Sequence, residues 1–390
     1  MEHTPIDRSG EKRLYEQIVD AIMAQIHAGA FSYEEPICTE AELMARYGVS
    51  RITVRHALTQ LESHGILIRK RGVGSFVNPD VYQNQSASAQ AAARPRAGRV
   101  FAFVVPFDIA RTGLTGAFQE ATNALNARDC FTSIYISGES GDNRGRCILQ
   151  RLARMDIAGI AYYPYTNNIH LETLNELMFN GKPVVLMDLP SHYAHLPSVT
   201  SDNLGGERAL IRHLIGLGHR RIAFLTGIPV TARETLGERY SGYLLALADA
   251  GIRPDPALVY TGMSRAARAL PPGDAGSLAS VIEGFRRAGA TAIVCEHDEM
   301  AYYVLQCCRE MGVRVPEDLS VCGFDDNEWA VMIPERHTTT VAQDWPEIGR
   351  QVAELLYAGL ENPLSVHSPV VVPTRLVPGN TSGPAPEGAQ

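Results

Sequence analysis

The chain of 390 residues is 45% hydrophobic and 20% charged, ordinary globular usage that excludes wholesale disorder and predicts two to three domains at roughly 150 residues each. A formal net charge of −8 argues against nucleic-acid binding by the whole surface, but not against a local basic site. No apolar run reaches the roughly 18 residues of a membrane span. Residues 1–7 show neither a basic flank nor an apolar segment, so no secretory leader and no membrane partner are expected, and cytoplasm is the expected compartment.

In the first eighty residues, Leu14, Ile18, Ile22 and Ile26 recur every four positions, with Tyr15, Val19 and Met23 beside them. This spacing predicts one helix, ended at Gly29. Thr39-Glu40-Ala41-Glu42 reads as a capping box opening a short second helix, with Leu43 toward the core and a stop at Gly48. Ser50 then caps a third helix whose buried stripe is Val54, Leu58 and Leu61. Two short helices joined across residues 47–50 make a helix-turn-helix. Arg51 and Arg55 are four apart and share a face of the third helix. Thr53 and His56 lie in its same first two turns, off the buried line, where a recognition helix presents donors to base edges. Next come Ile66-Leu67-Ile68, then Arg69-Lys70-Arg71-Gly72-Val73-Gly74, then Ser75-Phe76-Val77. They predict two short strands around a basic turn, a wing able to reach an adjacent groove. Residues 49–78 hold Arg51, Arg55, Arg69, Lys70 and Arg71 against Glu62, a local charge of +4.

These motifs together resemble the winged-helix domain of the GntR regulator family over residues 12–77. The resemblance implies operator double-stranded DNA as partner, contacted by Arg51 and Arg55, with the glycine turn of the wing at Gly72. Thr39, Ser50, Thr53, His56, Arg69, Lys70 and Arg71 complete the expected DNA-binding set. Many members carry an arginine where this chain has Ala41, which implies one contact fewer.

Residues 79–98 (PDVYQNQSASAQAAARPRAG) are rich in Ser, Gln, Ala and Pro and bury no periodic face. They read as a flexible tether, with a short alanine-rich helix at 86–93 as the alternative. The expected layout is a DNA-binding domain at 1–78, a linker at 79–98, a large body at 99–382 and a disordered tail at 383–390. A surface loop is expected at 266–277.

In the body, Val100-Phe-Ala-Phe-Val-Val105 is the continuous apolar run of a strand buried on both faces. Helices are expected at 116–128, 147–154, 171–179, 206–217, 240–250, 278–288 and 300–311. Strands are expected at 131–136, 159–163, 183–187, 222–226, 258–260, 292–295 and 320–323. This alternation predicts α/β architecture with parallel sheets in two lobes, binding a ligand at strand carboxyl ends in the crevice between them.

Seven cysteines, at 38, 130, 147, 295, 307, 308 and 322, form an odd set without a C-x-x-C pair. They predict neither a disulfide framework nor a zinc ribbon, and Cys307 and Cys308 read as core residues. Along Cys295-Glu-His-Asp298 successive side chains diverge at a strand end, so no metal is expected there. His192 and His195, in a proline-flanked loop, read as surface residues. No Walker or dinucleotide glycine pattern follows a strand and no G-x-S-x-G elbow is present. Neither a cofactor nor enzymatic activity is expected.

Several stretches are similar to the effector-binding core of the LacI family over about residues 99–382: Thr200-Ser-Asp-Asn203 with Gly205-Gly206, Leu217-Gly-His-Arg-Arg-Ile-Ala-Phe224, Glu238-Arg-Tyr-Ser-Gly-Tyr243, Val315-Pro-Glu-Asp-Leu-Ser-Val321 with Gly323-Phe-Asp-Asp326, Thr338-Thr-Thr-Val341 and Pro373-Thr-Arg-Leu-Val377. The resemblance implies a periplasmic-binding-protein-like, two-lobed fold and a homodimer. It places ligand contacts at Arg239, Asp325, Arg233 and Thr235, and more loosely at Leu114 and Thr115. Where the family usually reads Asn-Asp, this chain has His297-Asp298, so an imidazole stands at a position that often touches sugar. The two resemblances together imply a repressor of a carbohydrate-utilisation operon, similar to arabinose-responsive repressors, with a sugar-like effector. Two alternatives are a nucleobase corepressor read by Arg233, Thr235 and His297, and a ligand-binding α/β protein with a vestigial head.

Overall fold

A computed structural model describes residues 13–27, 31, 36–37, 39–63, 66–70, 74–78, 98–107, 113–138, 144–191, 193, 195–264, 274, 276–365 and 368–387. The expectations for Gly29, Cys38, Arg71, Gly72, residues 79–97, His192, most of the 266–277 loop and residues 388–390 lie outside the described residues.

The N-terminal head contains helices α1 (Leu14–His27), α2 (Glu40–Tyr47) and α3 (Arg51–Ser63), then the antiparallel strands β1 (Leu67–Lys70) and β2 (Gly74–Val77). Ile18, Ile22 and Ile26 pack with Leu43, Val54, Leu58, Leu61 and Val77 into one core. The capping box forms as expected: Glu42 N donates to Thr39 Oγ1 at 3.2 Å, and Thr39 N donates to Glu42 Oε2 at 2.8 Å. Gly48 ends α2 at φ 61°, a left-handed conformation that costs glycine little. That turn sets α3 across α2.

The first lobe of the body runs β3 (Val100–Val105), α4 (Leu114–Asn126), β4 (Phe131–Ile136), α5 (Arg144–Ala153), β5 (Gly159–Tyr162), α6 (Leu171–Phe179), β6 (Val184–Met187) and β7 (Ser198–Ser201). The second runs α7 (Asn203–Gly216), β8 (Ile222–Leu225), α8 (Glu234–Asp249), β9 (Val259–Tyr260), α9 (Leu278–Arg287), β10 (Ala292–Cys295), α10 (Asp298–Glu310) and β11 (Ser320–Cys322). After them come β12 (Thr340–Ala342), α11 (Trp345–Ala358), β13 (Val370–Val372) and β14 (Arg375–Val377). The first sheet has the order β13-β7-β6-β5-β3-β4 and the second β11-β10-β8-β9, every pair parallel. β5, β6, β8 and β10 are buried along their whole length, as strands covered by helices on both faces must be.

The chain passes between the lobes three times: from β7 to α7, from β12 to α11, and from β13 to β14. These crossings bond to one another. Asp202 N donates to the Val372 carbonyl at 2.8 Å, Thr374 Oγ1 to the Asp202 carbonyl at 3.2 Å, and Ser201 Oγ to Gln343 Oε1 at 2.6 Å. Helix α11 returns to the first lobe, where Trp345, Ile348, Val352 and Leu356 join the core of Phe101 and Phe103. Gly349 makes that return possible: a Cβ there would lie 1.9 Å from the Ala117 carbonyl oxygen of α4.

Sequence reading passed over β7, α11, β12, β13 and β14. β7 is Ser-Val-Thr-Ser, fully buried yet polar, so it lacks the apolar run that betrays a strand. α8 starts at Glu234 rather than 240, which brings Thr235 and Arg239 onto one helix. Two expectations are corrected. The tail from 383 does not fray through 385: Gly383 N donates to Ser320 Oγ at 3.1 Å, its carbonyl meets His219 Nε2 at 3.0 Å, and Ala385 N donates to the Leu217 carbonyl at 2.9 Å. Buried Ser320 and His219 supply the partners that composition could not reveal. His195 is buried rather than superficial, 2.9 Å from Asn175 Oδ1. Cys307 and Cys308 do sit in the core of the second lobe.

Candidate functional site

Two places gather the candidate residues. On the head, Arg51, Arg55 and Arg69 remain 70%, 59% and 51% exposed, yet all three converge on Glu40: Arg51 Nε at 2.8 Å, Arg55 Nε at 3.5 Å and Arg69 Nη2 at 3.3 Å. The hydrogen bond from Arg51, helped by the other two charges, holds the Glu40 carboxyl below its usual range. Glu40 therefore sets the splay of three cations from α3 and the wing. Sequence reading used it only as part of a cap motif, because its partners lie 11 to 29 residues away. Some expected contacts are already engaged locally. Thr39 caps α2, Ser50 and Thr53 hydroxyls lie 2.8 Å apart, and the His56 ring lies 4.2 Å from that of Tyr15. The Lys70 ammonium sits 4.4 Å over the Phe76 ring.

The second place is a cleft of about 760 Å³ between the lobes. Of the expected effector residues, Leu114, Arg233, Thr235, Arg239, His297 and Asp325 line it; Thr115, on the exposed side of α4, does not. The walls include Phe107, Tyr163, Tyr165 and Trp345 from the first lobe and Trp329 from the second.

Arg233 stands at the start of α8 and reaches into the first lobe. Its Nη2 donates to Tyr163 Oη at 3.0 Å and pairs with Asp188 Oδ2 at 3.2 Å, while Tyr163 Oη donates to the same Asp188 oxygen at 2.6 Å. Burial pushes the Tyr163 phenol up, against the pull of Arg233, so it stays protonated as a donor. Close by, Asn167 of the first lobe accepts from Glu234 N at 2.8 Å and donates to the Thr231 carbonyl at 3.2 Å. It thereby caps α8 from across the cleft, where Arg233, the helix's own cap residue, makes no side-chain cap.

Arg239 belongs to a different corner. Its Nε donates to Asn203 Oδ1 at 2.9 Å and its Nη1 to the Glu296 carbonyl, its plane lies 3.7 Å over the Phe324 ring, and Nη2 pairs with Asp325 at 3.6 Å. Gln343 Nε2 donates to Asp325 Oδ1 at 2.6 Å, which ties this carboxylate to the middle crossing. Burial raises the Asp325 pKa to about 6, against the pull of Arg239 and with a push from Asp188. Both cleft aspartates occupy positive φ, 49° at Asp188 and 117° at Asp325, strain of the kind that clusters at working sites. Asp188 Oδ1, Arg233 Nε and Trp345 Nε1 are buried without a partner. Each such group costs about 1–3 kcal/mol while it stays unpaired.

His297 accepts from Met300 N at 3.0 Å as the cap of α10, and its Nε2 lies 3.3 Å from Glu296 Oε1. Glu296 Oε1 also accepts from Gly227 N at 2.7 Å. Asp188, Tyr163 and Gln343 were missed by sequence reading. Asp188, directly after an apolar strand, was the one with a visible signal, since strand carboxyl ends face the crevice.

Residues 14–77 match the model of the bacterial regulatory proteins of the gntR family, and residues 211–382 match that of the periplasmic binding protein-like domain. The chain joins a gntR-type DNA-binding head to a periplasmic-binding-protein-like body. It is 26% identical over 363 residues to the arabinose metabolism transcriptional repressor of Geobacillus stearothermophilus, covering 89% of this chain and 91% of that protein. Among solved structures, a complex of the transcriptional regulator CelR with cellobiose is 26% identical, with a TM-score of 0.63 over 88% of this chain and 99% of that one. A LacI family regulator from Enterococcus faecium with bound ribose, 21% identical with a TM-score of 0.60 over 73% of this chain and 99% of that one, shares the fold. Among the described residues no helix is long and apolar enough to cross a membrane.

Proposed function

We propose that this protein is a cytoplasmic, homodimeric transcriptional repressor of a carbohydrate-utilisation operon, whose grip on operator DNA is governed by an uncharged sugar bound between the lobes. Residues 1–78 would form the DNA-binding unit, 79–98 the tether and the chain from 99 onward the sensor. The observation that carries the ligand class is the charge balance of the cleft. Arg233 is matched by Asp188 and Arg239 by Asp325, while Glu296 and Glu299 add further negative charge. A phosphate or carboxylate would find no uncompensated guanidinium to fork onto. Sugar hydroxyls both donate and accept, so they suit paired carboxylates and arginines, and the aromatic walls suit the apolar faces of a sugar ring.

On the head, Arg69, Lys70 and Arg71 would contact phosphates and set register, with a salt-dependent affinity. Arg51 and Arg55 would read guanine edges, each bidentate contact supplying about 1–3 kcal/mol of discrimination. Sugar bridging both walls would favour the closed lobes, and it shifts that equilibrium only by its difference in affinity between the two states. The dimer converts closure into the spacing of two recognition helices, which must match half-sites one helical turn apart or a multiple of it. The cleft is assigned a binding role and no catalytic one, in keeping with relatives that are regulators.

The test has two arms. Calorimetric titration of the full chain with neutral mono- and disaccharides, their phosphates and purine bases should give heat with a neutral sugar; heat with a phosphate ester or a purine alone overturns that reading. Footprinting on DNA flanking the chain's own gene should show protection that the Arg51→Ala/Arg55→Ala variant lacks; no protection at low salt overturns the regulator reading.

A further inference from the structure

Ile52 is 81% exposed, while the other large apolar side chains exposed among the described residues lie between 40% and 59%. It occupies the first turn of α3, directly after Arg51 and three residues before Arg55. The helix buries Val54, Ala57, Leu58 and Leu61 on its core face. At about 100° per residue, Ile52 falls nearly opposite that stripe, on the outward face with Arg55 and exposed Thr59. Nothing in the fold of the head rewards it there. A β-branched residue is a mediocre helix former, and its apolar surface stays in water.

We infer that Ile52 is a base-reading residue, which packs against the 5-methyl group of a thymine in the major groove and so demands a thymine within reach of Arg51 and Arg55 in each operator half-site. The surroundings decide the occupant. Arg51 and Arg55 flank Ile52 on α3 and share Glu40 with Arg69 of the wing, so the surface that covers this face is a polyanion. On a duplex, the first turn of a recognition helix meets base edges in the major groove. The thymine methyl is the apolar feature those edges present. Isoleucine has no donor or acceptor with which to read guanine, adenine or cytosine, so its contribution is shape and exclusion of water. A thymine-to-cytosine change removes the methyl and also reverses the polar pattern, whereas thymine-to-uracil removes the methyl alone.

The inference rests on the reading of α3 as the recognition helix, and the experiment keeps the two apart. Full-length protein is used to select its sites from a random duplex pool, and each thymine of the selected site is then replaced by deoxyuridine in turn. One thymine per half-site should weaken binding about three- to fivefold when its methyl is lost, the amount expected for burying one methyl-sized group. In Ile52→Ala, with unchanged melting as the check on folding, affinity should fall and that uracil effect should vanish. A selected site without a fixed thymine, uracil substitution without effect, or a uracil effect that persists in Ile52→Ala overturns the inference while leaving α3 as the recognition helix. Failure to select any duplex overturns the recognition-helix reading itself, and this inference with it.

Discussion

The arginines of the head and those of the cleft are the same residue put to opposite electrostatic use. Arg51, Arg55 and Arg69 are 51% to 70% exposed and share one carboxylate, Glu40, so this cluster keeps a positive excess. Arg233 and Arg239 are 16% and 10% exposed, each with a carboxylate of its own. The first arrangement suits a polyanion that brings its own charge and releases counterions on binding. The second leaves no charge to spare and offers only oriented donors and acceptors, which suits an uncharged, hydroxyl-rich guest. Exposure therefore separates two recognition chemistries within one chain.

The widest break in that comparison comes from removing the head's donors. Arg51→Ala/Arg55→Ala should weaken operator binding a hundredfold or more in a mobility-shift assay, from two contacts of about 1–3 kcal/mol each, while calorimetry shows the sugar bound as before. Asp188→Ala strips the buried partner from Arg233. Removing one member of a buried pair destabilises the fold by about 3–5 kcal/mol, so the melting temperature should drop sharply and sugar affinity should fall, with half-site preference unchanged.

A smaller effect follows from pH. Burial raises the Asp325 pKa to about 6, and a sugar hydroxyl that donates to it needs the ionised form. Sugar affinity should hold above pH 7 and fall about tenfold per unit below 6. A profile flat from pH 7 to 5, or one retained in Asp325→Asn, would remove Asp325 from the site. Smallest of all, Asn167→Ala deletes the cap that α8 receives from the other lobe, worth about 1 kcal/mol. Sugar affinity should drop roughly fivefold. Small-angle scattering should show a more open sensor without sugar.

How much of this was visible beforehand depends on how far apart the interacting residues lie. The head was legible almost to the residue: capping box, glycine turn and buried stripe are local devices whose partners sit within a few positions, so Thr39, Gly48 and Val54 announced themselves. The body's alternation was legible where strands were apolar, as at Val100–Val105. It failed at Ser198–Ser201, where buried hydroxyls bond across the crossings and mimic a loop. Helix α11 carries a readable stripe in Ile348, Val352 and Leu356, but it lies beyond the regular strand–helix alternation of the two lobes. Arg239 and Asp325 were reached through family resemblance rather than spacing. Glu40 and Asp188 were overlooked because what makes them matter is the charge they meet in space.

What the order of residues determined unaided is a set of local decisions: where helices start and stop, which runs must be buried on both faces, and where basic donors cluster on one helix and one wing. Those follow from periodicity, capping chemistry and charge within a few turns. What tertiary structure decided is the cleft's balance sheet, because Tyr163, Asp188 and Arg233 lie 25 to 70 positions apart and meet only when two lobes face each other. Whether an arginine is matched or left to a ligand is a property of burial and proximity, and neither is written in sequence distance.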